Sequence, residues 1–196
     1  MTDATVPEGA ALIAMLNDLL MLDHDAVQAY SIAIGRISRA EYRETLAGFR
    51  GDHQRHIDQL TQLIRDFGGV PMQMPHLPTG VFKAAMQALS TLGDDRAVLL
   101  AFKTNEGQVR DKYRRAANQP LDPATGTIVS AAALDEEQHY AWVEQVLQKM
   151  GVDEGSLLST AQNAAEKVQG RVIDAVEGAG RRVAEAAERM RPGGTS

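Results

Sequence analysis

The sequence contains no cysteine, and this absence excludes several kinds of site at once. Disulfide bonds, thiolate-held iron–sulfur clusters and thiol-based catalysis all require that residue. Runs of β-branched and aromatic residues, which are typical of strands, are absent as well, while alanine, leucine, glutamine and arginine are abundant. The composition therefore predicts an all-α protein.

Further absences narrow the range of functions. No run of 18 apolar residues is present, so we expect no membrane-spanning helix. The N-terminal "MTDATVPEGA" lacks a basic segment followed by an apolar one, so we expect no signal peptide and a cytoplasmic location. Acidic residues outnumber basic residues by 26 to 20, and the net charge of -6 argues against nucleic acid as a partner.

What the sequence does contain is four long segments with apolar residues at helical spacing. Ser38 and Glu41 form a capping-box pattern at the start of the second segment. Asp122 is expected to cap the fourth segment, and Gly151 to end it. We predict helices over residues 7–36, 38–68, 94–117 and 122–151.

The connections between these segments predict their arrangement. The first and third connections are short, so each joins an antiparallel hairpin. The second, residues 68–93, contains "GGVPMQMPHLPTG" and a short helical piece, "VFKAAMQALS", and is long enough to run the length of a bundle. Two hairpins joined by one long crossover have ferritin-like connectivity. We therefore predict a ferritin-like four-helix bundle over residues 8–151.

Residues 156–191 predict an additional amphipathic C-terminal helix, which we call the tail. Its apolar residues are small, and Gly170, Gly178 and Gly180 weaken it. Several roles stay open for it: packing on the bundle, association as a homodimer, binding of a partner, or contact with a membrane surface. Its balanced charge makes strong membrane binding the least favoured, and a partly ordered tail is a further alternative.

The stretch "DEEQHYAW" on the fourth helix carries the first sign of a site. Glu136 and His139 are three residues apart and share one helix face. Val129 and Val143 fall on the same face, so it is expected to point into the bundle. The apolar stripes of the other helices are also interrupted only by residues that can ligate a metal. The six interruptions are Asp23, His53, His56, Glu106, Glu136 and His139.

These six residues are expected to lie at one depth. Each falls within about one turn of the middle of its helix, so in an antiparallel bundle they meet in a single layer. Buried charges are costly unless they are paired or bind a metal. A site for one or two divalent metal ions is the first interpretation. The alternative is a polar layer satisfied by hydrogen bonds and water, in a non-catalytic bundle with a structural or interaction role.

These residues and motifs resemble the ferritin-like superfamily, near its rubrerythrin and bacterioferritin branch, over residues 10–150. Asp23 precedes Tyr30 by seven residues, as the first-helix ligand of that family precedes a tyrosine. "LLMLDHDAVQAYSIAI" and "DHQRHIDQL" are also similar to bacterial proteins with ferritin-like domains. The resemblance implies a carboxylate-bridged di-iron or di-manganese centre that reacts with oxygen or peroxide, with ferroxidase-like activity in oxidative-stress defence or metal handling.

The resemblance also implies roles for individual residues. In that family, two helices each carry one carboxylate ligand and the other two carry E-x-x-H. Glu136 would then bridge two metals, with Asp23, His56, Glu106 and His139 as terminal ligands. Iron is the expected metal, with manganese or zinc as alternatives. Haem is not implied, because Gln54 stands where a haem-binding ferritin has methionine.

The sequence departs from the family pattern twice. Asp23 stands where glutamate is usual, and His53 stands where the bridging glutamate of the second E-x-x-H is expected. A neutral imidazole has one lone pair and cannot bridge two metals as a carboxylate does. Asp52 lies off the stripe and would replace that carboxylate only after local rotation. The departures leave open a dinuclear centre, a mononuclear site and a site that no longer binds metal.

Overall fold

The computed structural model describes residues 9–73 and 95–152. This part of the chain is helical without strands, which confirms the all-α prediction. The predicted helix start at Pro7, the helical piece in the crossover and the tail (156–191) lie outside the described residues. The four helices are α1 (Gly9–Ile34), α2 (Ala40–Asp66), α3 (Asp95–Ala117) and α4 (Pro123–Lys149). None of them has a stretch that is both long and apolar enough to cross a membrane.

The helices form two hairpins, as predicted. Helix α1 packs on α2 and α3 packs on α4, through short connections at residues 35–39 and 118–122. Asp95 at the start of α3 contacts Ser38, which lies just before α2. The two helices therefore start at the same end of the bundle, although α2 extends 27 residues, or about 40 Å, away from it. This arrangement confirms a long crossover between the hairpins.

The start of α2 differs from the prediction. Asp95 Oδ1 accepts from the backbone N–H of Ser38 at 2.7 Å, and Asp95 Oδ2 accepts from the Ser38 hydroxyl at 3.0 Å and from Arg39 N–H at 3.2 Å. The capping box is therefore wrong, because a carboxylate is the stronger acceptor and takes the serine hydroxyl as a donor. At α4, by contrast, Asp122 caps as predicted and accepts from two backbone N–H groups at 3.1 Å.

Helices α2 and α4 end just before the glycines that were predicted to end them. Gly68 and Gly151 adopt positive φ values of 72° and 76°, a conformation that glycine reaches without the strain caused by a Cβ atom. After α2, the N–H of Gly69 bonds to the carbonyl of Ile64 at 2.8 Å, which closes the last turn.

The interior consists of two apolar clusters with a polar layer between them. One cluster contains Leu46 and Phe102, and the other contains Leu16 and Leu60, all of them buried. We call the residues between the clusters the polar layer. Its members are Asp23, His53, His56, Glu106, Glu136 and His139, and each is at most 1% exposed.

Candidate metal centre

The structure brings all six predicted residues together. They form two overlapping sets of four, and within each set the donor atoms lie within 4.8 Å of one another. Position 1 is formed by Asp23, His53, His56 and Glu136. Position 2 is formed by His53, Glu106, Glu136 and His139. The two neighbouring positions thus share one carboxylate and one imidazole.

Glu136 lies between the two positions. Its Oε1 atom is 3.5 Å from the Nδ1 atoms of both His53 and His56. Its Oε2 atom is 3.7 Å from the Nδ1 atom of His139. The two carboxylate oxygens therefore face different positions, which is the arrangement that a bridging carboxylate requires.

His53 occupies the other shared place, and its contacts are different. Its Nδ1 atom lies 2.8 Å from Asp23 Oδ1. The second oxygen of Asp23 accepts a hydrogen bond from the hydroxyl of Tyr113. The ring of Tyr30 packs against the His53 ring at 5.0 Å between centroids. Both tyrosines thus contact the polar layer, and Tyr113 does so through a hydrogen bond.

Two carboxylates outside the polar layer contact its other imidazoles. His56 Nε2 is 3.1 Å from Asp135 Oδ2, and His139 Nε2 is 3.1 Å from Asp52 Oδ2. An ionised carboxylate only accepts, so each Nε2 must carry the proton. When such a ring is neutral, its lone pair is on Nδ1, which points into the polar layer. Metal-binding histidines are commonly oriented in this way.

Arg55 joins these two outer carboxylates. Its guanidinium donates to Asp52 Oδ1 at 2.6 Å and to Asp135 Oδ2 at 2.8 Å. The sequence prediction missed Arg55 and Asp135, and it considered Asp52 only as a ligand after rotation. One sequence signal could have found these three residues: each immediately precedes a polar-layer residue in the sequence.

The electrostatics of the polar layer show how it accommodates its charges without an ion. Burial, followed by the nearby Glu136 carboxylate, raises the pKa of Glu106 to about 7. Burial opposes protonation of His53, but Glu136 and Asp23 outweigh it and raise its pKa to about 10. Burial tends to raise the pKa of Asp23, yet its hydrogen bond to His53 and the nearby ring of His56 hold that pKa below the ordinary value. Bound protons therefore compensate the carboxylates.

Several buried donor atoms in the polar layer lack hydrogen-bond partners within the described residues. Unpartnered buried polar atoms are costly, so their grouping at one place indicates a ligand. Imidazole nitrogens combined with carboxylate oxygens suit first-row transition metals, so the residues fit the predicted group. The atoms are His53 Nε2, His56 Nδ1, His139 Nδ1, both carboxylate oxygens of Glu106 and both of Glu136.

Comparison with protein families identifies one match. A family profile described as "Domain of unknown function (DUF2383)" matches residues 11–119, which is more than half of the chain. The chain belongs to this family. The DUF2383 match spans α1 to α3, so it includes four of the six polar-layer residues, while Glu136 and His139 on α4 lie beyond it. A search of curated protein sequences finds no significant match.

Comparison with solved structures concerns the fold. The chain is similar to a ferritin-like, diiron-carboxylate protein from Bacillus anthracis str. Ames, with a TM-score of 0.58 and 21% identity. The match covers 71% of this chain and 96% of that chain. The DUF2383 chain therefore has a ferritin-like fold, which confirms the predicted fold class.

Proposed function

We propose that this protein binds a first-row transition metal in the polar layer, with iron as the expected metal and manganese or zinc as alternatives. The observation that carries the proposal is the set of buried nitrogen and oxygen donors without hydrogen-bond partners in the described part of the chain. These atoms come from side chains that form two overlapping sets of four donors, each able to hold an ion. A hydrogen-bonded polar layer would leave far fewer such atoms unpaired.

The chain's own residues would prepare the site before an ion arrives. Asp52 and Asp135 fix the imidazoles of His139 and His56 so that Nδ1 is available. Glu136 presents one oxygen to each position. The burial of the polar layer excludes bulk water, which strengthens every interaction between these carboxylates and a cation.

The proposed chemistry is oxidation of Fe(II) by oxygen or peroxide, in oxidative-stress defence or metal handling in the cytoplasm. Two observations support it: the ferritin-like fold, and the diiron-carboxylate description of the similar Bacillus anthracis protein. A bound redox-active ion would supply the electron exchange. The carboxylates and imidazoles of the two donor sets would retain a bound ion as its charge changes.

Elemental analysis of protein expressed in metal-replete medium tests the proposal. We expect about one or two metal equivalents in the wild-type protein and almost none in a His56→Ala/His139→Ala double variant. His24→Ala is the matched control, because His24 lies on α1 beside Asp23 but belongs to neither donor set. It should keep the wild-type metal content.

A different result would favour the alternative function. Wild-type protein that is folded after expression in metal-replete medium and contains no iron, manganese or zinc would contradict the proposal. The polar layer would then be satisfied by protons and water in a non-catalytic bundle with a structural or interaction role.

A further inference from the structure

The two metal positions differ in how many of their donor atoms are available. This inference rests on the proposed function and concerns how many ions the polar layer holds and where. Positions 1 and 2 share His53 and Glu136. Their remaining ligands are Asp23 and His56 in position 1, and Glu106 and His139 in position 2. The hydrogen bonds of these four residues are not equivalent.

In position 2 the donors are available. Both oxygens of Glu106, Oε2 of Glu136 and Nδ1 of His139 have no hydrogen-bond partner among the described residues. His139 Nδ1 lies 3.9 Å from the nearest Glu106 oxygen and 3.7 Å from the nearest Glu136 oxygen. Ligands held about 2.1 Å from one ion are separated from each other by roughly 3 to 3.5 Å. Position 2 therefore needs only slight contraction to enclose an ion.

In position 1 one carboxylate is already engaged. Asp23 Oδ1 contacts His53 Nδ1 at 2.8 Å, and Asp23 Oδ2 accepts from the hydroxyl of Tyr113. The remaining available atoms are His56 Nδ1 and Glu136 Oε1, which lie 3.5 Å apart. Asp23 keeps a further lone pair on each oxygen, and its Oδ1 lies 3.6 Å from His56 Nδ1, so it can still ligate an ion at position 1. His53 Nδ1 is held by Asp23, however, so an ion there would have to displace that hydrogen bond to gain His53 as a fourth protein ligand.

His53 can serve only one ion. In the neutral ring that an ion would bind, Nδ1–H donates to Asp23 and the single lone pair is on Nε2, which is buried and has no hydrogen-bond partner in the described helices. Asp23 then has the same relation to His53 that Asp52 has to His139. Each carboxylate holds one nitrogen of a ring and leaves the other nitrogen for a metal.

We propose that position 2, formed by His53, Glu106, Glu136 and His139, binds one transition-metal ion tightly. Asp23, which occupies the place of a ligand, instead acts as a positioning residue for His53. A second ion at position 1 binds more weakly, because the Asp23–His53 hydrogen bond leaves it without the His53 nitrogen.

The test is a titration of the full-length, metal-free protein with Mn(II), in which electron paramagnetic resonance measures the free ion. His56→Ala and His139→Ala form a matched pair, because each ring is 1% exposed and each donates Nε2–H to a carboxylate held by Arg55. We expect one tight equivalent in the wild type. His56→Ala should retain it within about threefold, while His139→Ala should weaken it beyond the roughly 100-fold that loss of an outer-shell partner can cost.

Two further variants test His53, which both positions share, and Asp23, which contacts it. His53→Glu supplies a second carboxylate between the positions, so it should bind two equivalents and give the spectrum of an exchange-coupled Mn(II) pair. Asp23→Asn should lower the affinity for the single tight ion without changing the number of ions bound. Replacement of a residue that only ligates an ion at position 1 would leave that affinity unchanged. Circular dichroism checks the fold of each variant, and Glu106→Gln replaces His139→Ala if the latter does not fold.

Two tight equivalents of equal affinity in the wild type would overturn the inference. So would tight binding that is lost in His56→Ala and kept in His139→Ala, or an unchanged affinity in Asp23→Asn. Complete absence of binding of Mn(II), Fe(II) and Zn(II) to the wild type would instead overturn the proposed function itself. The two failures are therefore distinguishable.

Discussion

At the scale of single residues, Arg55 influences the largest part of the site without belonging to the polar layer. Its guanidinium holds Asp52 and Asp135, and through them the imidazoles of His139 and His56. The arginine side chain is 47% exposed, while both rings are buried. The orientation of two buried ring nitrogens thus depends on one surface residue.

Replacement of Arg55 by alanine should weaken metal binding by roughly tenfold, because the two outer carboxylates lose their common partner and hold the rings less firmly. The melting temperature of the metal-free protein should change little, since exposed ion pairs contribute about 0 to 1 kcal/mol. Competition with a chromophoric chelator measures the affinity. Arg114→Ala is the control, because Arg114 pairs with Glu137, outside the polar layer. Equal losses in both variants would contradict this role.

The stability of the metal-free protein should decrease as pH rises from about 5 to 9. The folded-state pKa of His53, about 10, exceeds its ordinary value of 6.5, so its stabilising effect is full below about 6.5 and is lost toward 10. Glu106, with a folded-state pKa of about 7 against 4.5, contributes in the same direction between those values. A pKa that differs by one between the folded and unfolded states changes the free energy of unfolding by about 1.4 kcal/mol.

Urea denaturation in the presence of chelator, repeated across this pH range, measures the effect. Metal affinity should change in the opposite direction, because binding releases protons and strengthens as pH rises. A free energy of unfolding that stays constant from pH 5 to 9 would show that the polar layer does not take up these protons.

The six polar-layer residues could be identified from the sequence because position along a helix decides which face a side chain occupies. Asp52, Arg55 and Asp135 could not be assigned in the same way. They lie at the edge of that face, and their contacts depend on the packing of α2 against α4. Similarly, only the geometry shows that Asp23 contacts both His53 and Tyr113.

At the scale of helices, local signals predicted three of the boundaries well. Asp122 caps α4, and glycines end α2 and α4, because each of these interactions involves residues within one turn. The start of α2 was predicted less well. Its acceptor, Asp95, lies 57 residues after Ser38, so no local pattern contains it.

Replacement of Asp95 by alanine should lower the free energy of unfolding by roughly 1 to 3 kcal/mol, because three donors at the start of α2 lose a charged acceptor. Ser38→Ala removes only the hydroxyl and should cost less. Urea denaturation of both variants, each saturated with chelator, provides the comparison. Equal costs would mean that the backbone N–H groups find other acceptors.

At the scale of the whole molecule, the polar layer draws equally on the two hairpins. The first hairpin contributes Asp23, His53 and His56, and the second contributes Glu106, Glu136 and His139. Either candidate position therefore combines ligands from both hairpins. An ion that binds only the folded bundle should stabilise it as a whole, rather than one helix at a time.

Removal of the metal should therefore lower the melting temperature. At a free metal concentration 100 times the dissociation constant, binding adds about 2.7 kcal/mol, which corresponds to roughly 5 to 10 °C for a chain of this size. Scanning calorimetry with and without chelator measures the difference. The His56→Ala/His139→Ala variant should melt at the same temperature in both conditions, and a chelator effect that persists in it would place the metal elsewhere.

The packing of the helices means that a bound ion would also link the two hairpins. Helices contact each other mainly within the hairpins and less between them. Because the chain has no cysteine and therefore no disulfide, a bound ion would be a strong additional link across this seam. It would act as a reversible crosslink, comparable to a disulfide but governed by metal supply instead of redox potential. Metal starvation would then remove this link, so that the hairpins separate more often and proteases cleave the protein faster.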